Sequence, residues 1–206
     1  LSGRVLDTND YVEGVTTPVV NARISLLRTE SSIFTNTQGY FTLSNIPSGS
    51  QVLDIDTSTA RPGPGGAQYA GFREEIEIIE HVNNAVERPF FLPRIDKDSV
   101  TQVNPNQTTI VNNPNIEVMI EVPAHTAKDG AGNDFVGELS ISEVPEGLAP
   151  AALPQELDPG LLITIQPVGV TFADPVPITF PNIDKLQAGT EVDIWSLDAE
   201  RGIFVV

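Results

Sequence analysis

Cysteine is absent from the sequence. Disulfides, thiolate zinc sites and cysteine nucleophiles are thereby excluded, and nothing about redox compartment follows. Basic residues are few: 11 Lys and Arg face 28 Asp and Glu, for a formal charge of -17. A field of that sign repels phosphate backbones and anionic lipid heads, which argues against nucleic acid or a membrane surface as a partner. It reads first as a solubility device for a salty or extracellular setting, and only second as a sign of cation binding. Long apolar runs are missing too. None approaches the ~18 residues of a membrane-crossing helix, so no membrane insertion is expected. The two histidines, His81 and His125, sit in no metal or triad motif. Nor does the sequence hold a His-Glu-x-x-His, a Gly-x-Ser-x-Gly or a glycine-rich phosphate loop. On these grounds the chain is expected not to be an enzyme.

What is present points to strands. The 16 glycines and 17 prolines lie mostly between short apolar alternations rather than in a low-complexity block, the habit of an all-β protein. A length of 206 residues allows one large or two small domains at roughly 100–200 residues each. The first half is organised around residues 36–49. There Thr37-Gln38-Gly39 is a turn, Tyr40-Phe41-Thr42-Leu43 alternates like a half-buried strand, and Asn45-Ile46-Pro47-Ser48-Gly49 is a second turn. Upstream, Ile24 and Leu26 share one strand face opposite Arg23 and Ser25; across 52–57, Leu53 and Ile55 oppose Asp54 and Asp56. Residues 7–14 and 61–66 read as loops. Residues 72–79 and 85–92 read as a hairpin about an Asn83-Asn84 turn, since Pro89 and Pro93 demand extended chain.

Four segments carry a family likeness: Ser2-Gly3-Arg4-Val5, Pro18-Val19-Val20-Asn21-Ala22-Arg23-Ile24, Thr35-Asn36-Thr37-Gln38-Gly39-Tyr40-Phe41 and Ile46-Pro47-Ser48-Gly49. Together they resemble the carboxypeptidase regulatory-like family. The resemblance implies a transthyretin-like sandwich of about seven strands over residues 1–95, close to the CnaB modules of bacterial adhesins. It marks fold more than function, because the same module is appended to peptidases, receptors and adhesins. Some relatives lock their strands with an isopeptide bond from a buried lysine. No lysine precedes Lys97, so the first domain cannot make that bond.

The charged run Arg94-Ile95-Asp96-Lys97-Asp98-Ser99 loses the alternation and marks a domain boundary, giving a second sandwich over 96–206. Strands are expected at 108–111, 116–122, 135–144, 161–166, 176–180, 191–197 and 203–206, with 148–160 a long surface connection. In the clearest of them Ile116, Val118, Ile120 and Val122 line one face. This half resembles, less specifically, the plug domain of teneurins and bacterial YD-repeat proteins, and more loosely the ZU-type domains of netrin receptors and ankyrins. That resemblance implies an extracellular structural or adhesive role. Leu1-Ser2-Gly3-Arg4-Val5 looks like a strand start, and Ile203-Phe204-Val205-Val206 like a strand cut before its turn. The chain is expected to be part of something longer and truncated at its C-terminus, so the lack of a secretory signal carries no weight.

Three groups of residues could carry chemistry. Asp7, Asn9, Asp10 and Glu13 cluster in one loop, and Asp129, Asn133 and Asp134 in another, with the hard oxygens that calcium requires. The first set is the candidate metal site, although ordinary turn formation by Asp and Asn outweighs the calcium reading. His125-Thr126 invites an autoproteolytic reading, which a loop position and the want of a placed base make the weaker one. The sole tryptophan, Trp195, is expected in the core; exposed beside Tyr11 or Tyr69 it would instead stack on a sugar.

The sequence therefore predicts an all-β chain of two tandem sandwiches, acting as a non-catalytic structural or adhesive module of a larger secreted or cell-surface protein. A carbohydrate-binding accessory module and an autoproteolytic ZU-type domain are the alternatives. Calcium is the one cofactor considered. The expected partners are neighbouring domains of the same chain, another surface protein or a glycan.

Overall fold

The computed structural model describes residues 1–145, 147–149, 153–154, 157 and 159–206. Part of the connection read at 148–160 lies outside the described residues. The architecture is all-β, and the chain divides into two compact units. The first comprises Leu1–Arg94, Pro145–Leu157 and Asp193–Val206; the second comprises Ile95–Val144 and Asp158–Val192. The first unit is thus discontinuous in sequence, and its last segment falls within the 96–206 span expected to form the second domain.

Seven strands of the first unit come from its first segment: β1 (Ser2–Asp7), β2 (Arg23–Leu26), β3 (Ser32–Phe34), β4 (Tyr40–Thr42), β5 (Gly49–Asp56), β6 (Phe72–Ile78) and β7 (Phe90–Leu92). They form a three-stranded sheet ordered β4-β1-β7 and a four-stranded sheet ordered β3-β2-β5-β6. Val5, Phe41, Phe90 and Leu92 from the first sheet meet Ile24, Leu26, Leu53, Ile55, Phe72 and Ile78 from the second in one buried cluster. The alternation in β2, β4 and β5 is realised: Ile24, Leu26, Phe41, Leu53 and Ile55 are all buried. Gly39 closes the turn before β4 at φ +79°, a conformation that L side chains rarely adopt. Its amide donates to Asn36 O, and its carbonyl accepts from Val5 N at 2.9 Å.

The expected hairpin at 72–92 is not formed. Residues 72–78 join the larger sheet beside β5, whereas 90–92 lie parallel to β1 in the smaller one, with Val5, Leu6 and Asp7 opposite Phe90, Phe91 and Leu92. The Asn83-Asn84 turn that suggested a hairpin instead carries the chain between sheets. Asn84 holds that corner, accepting from Ile79 N at 2.9 Å and donating to Ile79 O at 2.9 Å. The loop at 7–14 contains a short helix, α1 (Thr8–Val12), capped by Asp7 in the manner expected of an aspartate at a helix start.

The second unit holds β8 (Thr101–Gln102), β9 (Thr109–Asn113), β10 (Val118–Val122), β11 (Ala127–Lys128), β12 (Glu138–Glu143), β13 (Ile163–Gln166), β14 (Thr171–Phe172) and β15 (Ile178–Thr179). These pair as β15-β10-β9, β13-β12-β8 and β11-β14. Val118, Ile120 and Val122 are buried as expected, with Val111, Leu139 and Ile141 in the same cluster. Ser140 and Ser142 of β12 are buried as well, so that strand is covered on both faces rather than one. Ser142 Oγ accepts from Asp96 N at 2.7 Å, and Ser99 Oγ accepts from Ile141 N at 2.9 Å.

The last strands are β16 (Ser196–Asp198) and β17 (Ile203–Val205), an antiparallel hairpin of the first unit. Only Ser196 and Leu197 of the strand expected at 191–197 are extended in it. Leu197 and Phe204 pack against the first core. Gly202 O accepts from Glu75 N at 3.0 Å on the edge strand β6. The approach there is close: a Cβ on Gly202 would lie 2.3 Å from Glu75 N.

Candidate functional site

Asp7 terminates β1 with no exposed surface. A buried carboxylate is tolerable only if its oxygens are hydrogen-bonded and its charge is countered. Both conditions are met. Asp7 Oδ1 accepts from Asp10 N at 2.9 Å, and Oδ2 accepts from Tyr69 Oη at 2.8 Å and Arg94 Nε at 2.9 Å. Asp10 binds the same guanidinium through Arg94 Nη2, and accepts from Thr17 Oγ1 at 2.5 Å. Asn9 Oδ1 accepts from Arg94 N at 3.0 Å. Three of the four residues chosen as calcium ligands are therefore gathered, with Arg94 as the cation between them. Glu13 is exposed and joins through its backbone alone, donating to Asp10 O.

The titration behaviour follows from these contacts. The Thr17 hydroxyl, and then Arg94, hold the Asp10 carboxyl below its ordinary value. Burial, reinforced by the hydrogen bond to Asp7, pushes the Tyr69 phenol up. Burial opposes the charge on Arg94, but the hydrogen bonds to Asp7 and Asp10 outweigh it and raise its pKa. Sequence reasoning found the acids and missed Arg94 and Tyr69. One signal was available: an aspartate directly following Val5 and Leu6 at the end of a buried strand needs a cation, and Arg94 directly follows the strand and proline that lie beside it.

Next to this cluster is a cavity of about 340 Å³ lined by Thr17, Pro18, Val20, Arg61, Pro62, Gly63, Pro64 and Tyr69. Tyr69 belongs to both, lining the cavity and giving its hydroxyl to Asp7. The loop at 61–64 is seated on that ring, since a Cβ on Gly63 would lie 2.3 Å from Tyr69 Oη.

In the second unit Asp129 and Asp134 do different work. Asp129 closes its own turn, accepting from Ala131 N and Asn133 N at 2.9 Å each. Asp134 Oδ1 accepts from Lys128 Nζ at 2.6 Å, and its Oδ2 lies 2.6 Å from His125 Nδ1. Lys128 first, and His125 second, lower the Asp134 pKa. Thr126 is buried, next in sequence to exposed His125. His81 is exposed in its turn, 3.2 Å from Glu80. Among the described residues no group of three or more His, Cys, Asp or Glu is arranged to hold a metal ion.

Trp195 departs from the expected core position: it is 38% exposed. Residues 191–195 form no strand that would turn its ring inward. Tyr69 is buried, while Tyr11 is exposed and rests on Phe91 with ring centroids 4.5 Å apart. Among the described residues no ring contact joins Trp195 to either tyrosine. Compared with protein-family models, curated proteins and solved structures, the chain finds no match.

Proposed function

We propose that this chain is a non-catalytic structural or adhesive module of a larger secreted or cell-surface protein, its first unit built to resist tension. The observation that carries the reading is the parallel pairing of β1 with β7. Parallel neighbours have their starts at the same end. Tension applied at Leu1 and at Arg94 therefore pulls the two strands in opposite directions along their length, loading the ladder bonds together rather than one after another. At the exit end, Arg94 is fastened to Asp7 and Asp10 by side chain and to Asn9 by backbone. A buried aspartate with a guanidinium partner suits a fixed clasp better than a reacting group. Exposed Trp195 favours a second reading, a sugar-binding accessory module, which a glycan array tests.

The absence of native cysteine lets pulling points be chosen freely. With cysteines introduced at positions 1 and 97, single-molecule extension shears β1 against β7. With cysteines at 1 and 44 it peels β1 from antiparallel β4, whose Thr42 lies opposite Ser2. The first geometry is expected to break at clearly higher force. Equal forces would remove the mechanical reading.

A further inference from the structure

We infer that the Tyr69 cavity is a binding site for an apolar molecule carrying one carboxylate, which Arg61 holds. This goes beyond the mechanical reading and does not depend on it.

The volume, about 340 Å³, lies at the lower end of the range for small-molecule sites. Five of the eight residues that line this open cleft carry stiff apolar or aromatic side chains: Pro18, Val20, Pro62, Pro64 and Tyr69. Prolines have no amide hydrogen to offer. The two hydroxyls are already committed as donors, Thr17 to Asp10 and Tyr69 to Asp7. That leaves Arg61 as the one charged group of the lining. Most other arginines have evident partners: Arg73 pairs with Asp54, Arg94 with Asp7 and Asp10, Arg28 with Glu200 and Arg201 with Asp198. Arg4 and Arg88 lie over the rings of Tyr40 and Phe91. Among the described residues Arg23 and Arg61 form neither an ion pair nor a ring contact, and of the two only Arg61 lines the cavity.

The loop that carries Arg61 is fixed in place. Arg61 N donates to Val20 O at 2.8 Å, Asn21 Nδ2 donates to Thr59 O at 2.6 Å, and Thr59 Oγ1 donates to Asn21 O at 2.9 Å. Gly63 N donates to Ala67 O at 2.8 Å. One planar guanidinium beside these apolar side chains matches one carboxylate attached to an apolar body. A phosphate needs more donors than this lining has, and a metal ion would find an arginine where it needs a carboxylate.

Two sources share that chemistry, a small organic acid and the C-terminal carboxylate of a polypeptide. Amide chemical shifts of Thr17, Val20, Gly63 and Tyr69 are followed on titration with N-acetylphenylalanine, its amide, and the peptide Gly-Ser-Gly-Phe with a free C-terminus. The acid is expected to bind with a Kd of about 1 mM, from the binding energy per atom typical of drug-sized ligands. The amide should bind about tenfold more weakly for loss of the charge-assisted contact. Arg61→Gln should bring the acid down to the level of the amide, and Arg61→Lys should restore part of the difference. Peptide binding as tight as that of the acid assigns the site to polypeptide C-termini, and binding of the acid alone assigns it to small acids; both support the inference. No shifts at these residues with either carboxylate, equal binding of acid and amide, or an unchanged Arg61→Gln titration in a protein whose other resonances are undisturbed would overturn it.

Discussion

Replacing Gly39 by alanine separates the cost of a backbone conformation from the cost of a close approach. At φ +79° any L side chain costs about 1–2 kcal/mol. Gly39 also faces the carbonyl of Val5, and a Cβ there would lie 2.4 Å from that oxygen. Relief requires the 36–39 turn to move away from β1. Two bonds share this contact: Val5 N to Gly39 O at 2.9 Å, and Val19 N to Val5 O at 3.1 Å. Losing either adds about 1 kcal/mol, so Gly39→Ala should destabilise the first unit by about 2–4 kcal/mol in all. Gly65→Ala is the matched control, because Gly65 has φ +68° and open space where the Cβ would stand. The entropy that alanine removes from the unfolded chain is the same in both variants and cancels in the difference. Trp195 belongs to the first unit and is the sole tryptophan, so its fluorescence during urea unfolding reports the relevant transition. The reasoning fails if Gly39→Ala and Gly65→Ala shift the midpoint equally.

Two further outcomes follow from the same unit. Arg94→Met leaves buried Asp7 without its cation, which should cost about 3 kcal/mol in urea unfolding. Because the folded-state pKa of Asp10 is lowered, its contribution is fully present above the unfolded value and is lost as pH falls through the folded one. Melting temperature should therefore drop below roughly pH 4, and less steeply in Asp10→Asn. Exposed Trp195 should be quenched by acrylamide in the native protein, more weakly than after unfolding; complete protection would contradict its position.

The strands that were legible in the sequence have one wet face. In β2, β5 and β10 the alternation of Ile24 with Ser25, Leu53 with Asp54 and Ile120 with Glu121 encodes burial directly. β3 escaped notice because Ser32, Ile33 and Phe34 are all exposed, which leaves no alternation to read. The parallel β1/β7 pair joins residues far apart in sequence, so a local turn signal at Asn83-Asn84 favoured the wrong partner for β7. The candidate site behaves the same way. Asp7, Asn9 and Asp10 are neighbours and were visible as a group, whereas the guanidinium that fills their centre comes from Arg94, whose charge reads in one dimension as boundary polarity. Trp195 was misplaced because average burial of its residue type was applied to a segment that forms no strand.

The seat of Gly202 on β6 also sets an order of events during synthesis. Glu75 leaves the ribosome long before Gly202, and closing so long a loop costs about 4 kcal/mol if the intervening chain is still flexible. Until Gly202 emerges, β6 is an open edge, the kind of surface on which chains aggregate. Glu74, Glu75 and Glu77 lie on that edge. Three carboxylates on seven residues repel the edge of another nascent copy, so part of this chain's acidity guards the strand during the interval before Gly202 reaches Glu75.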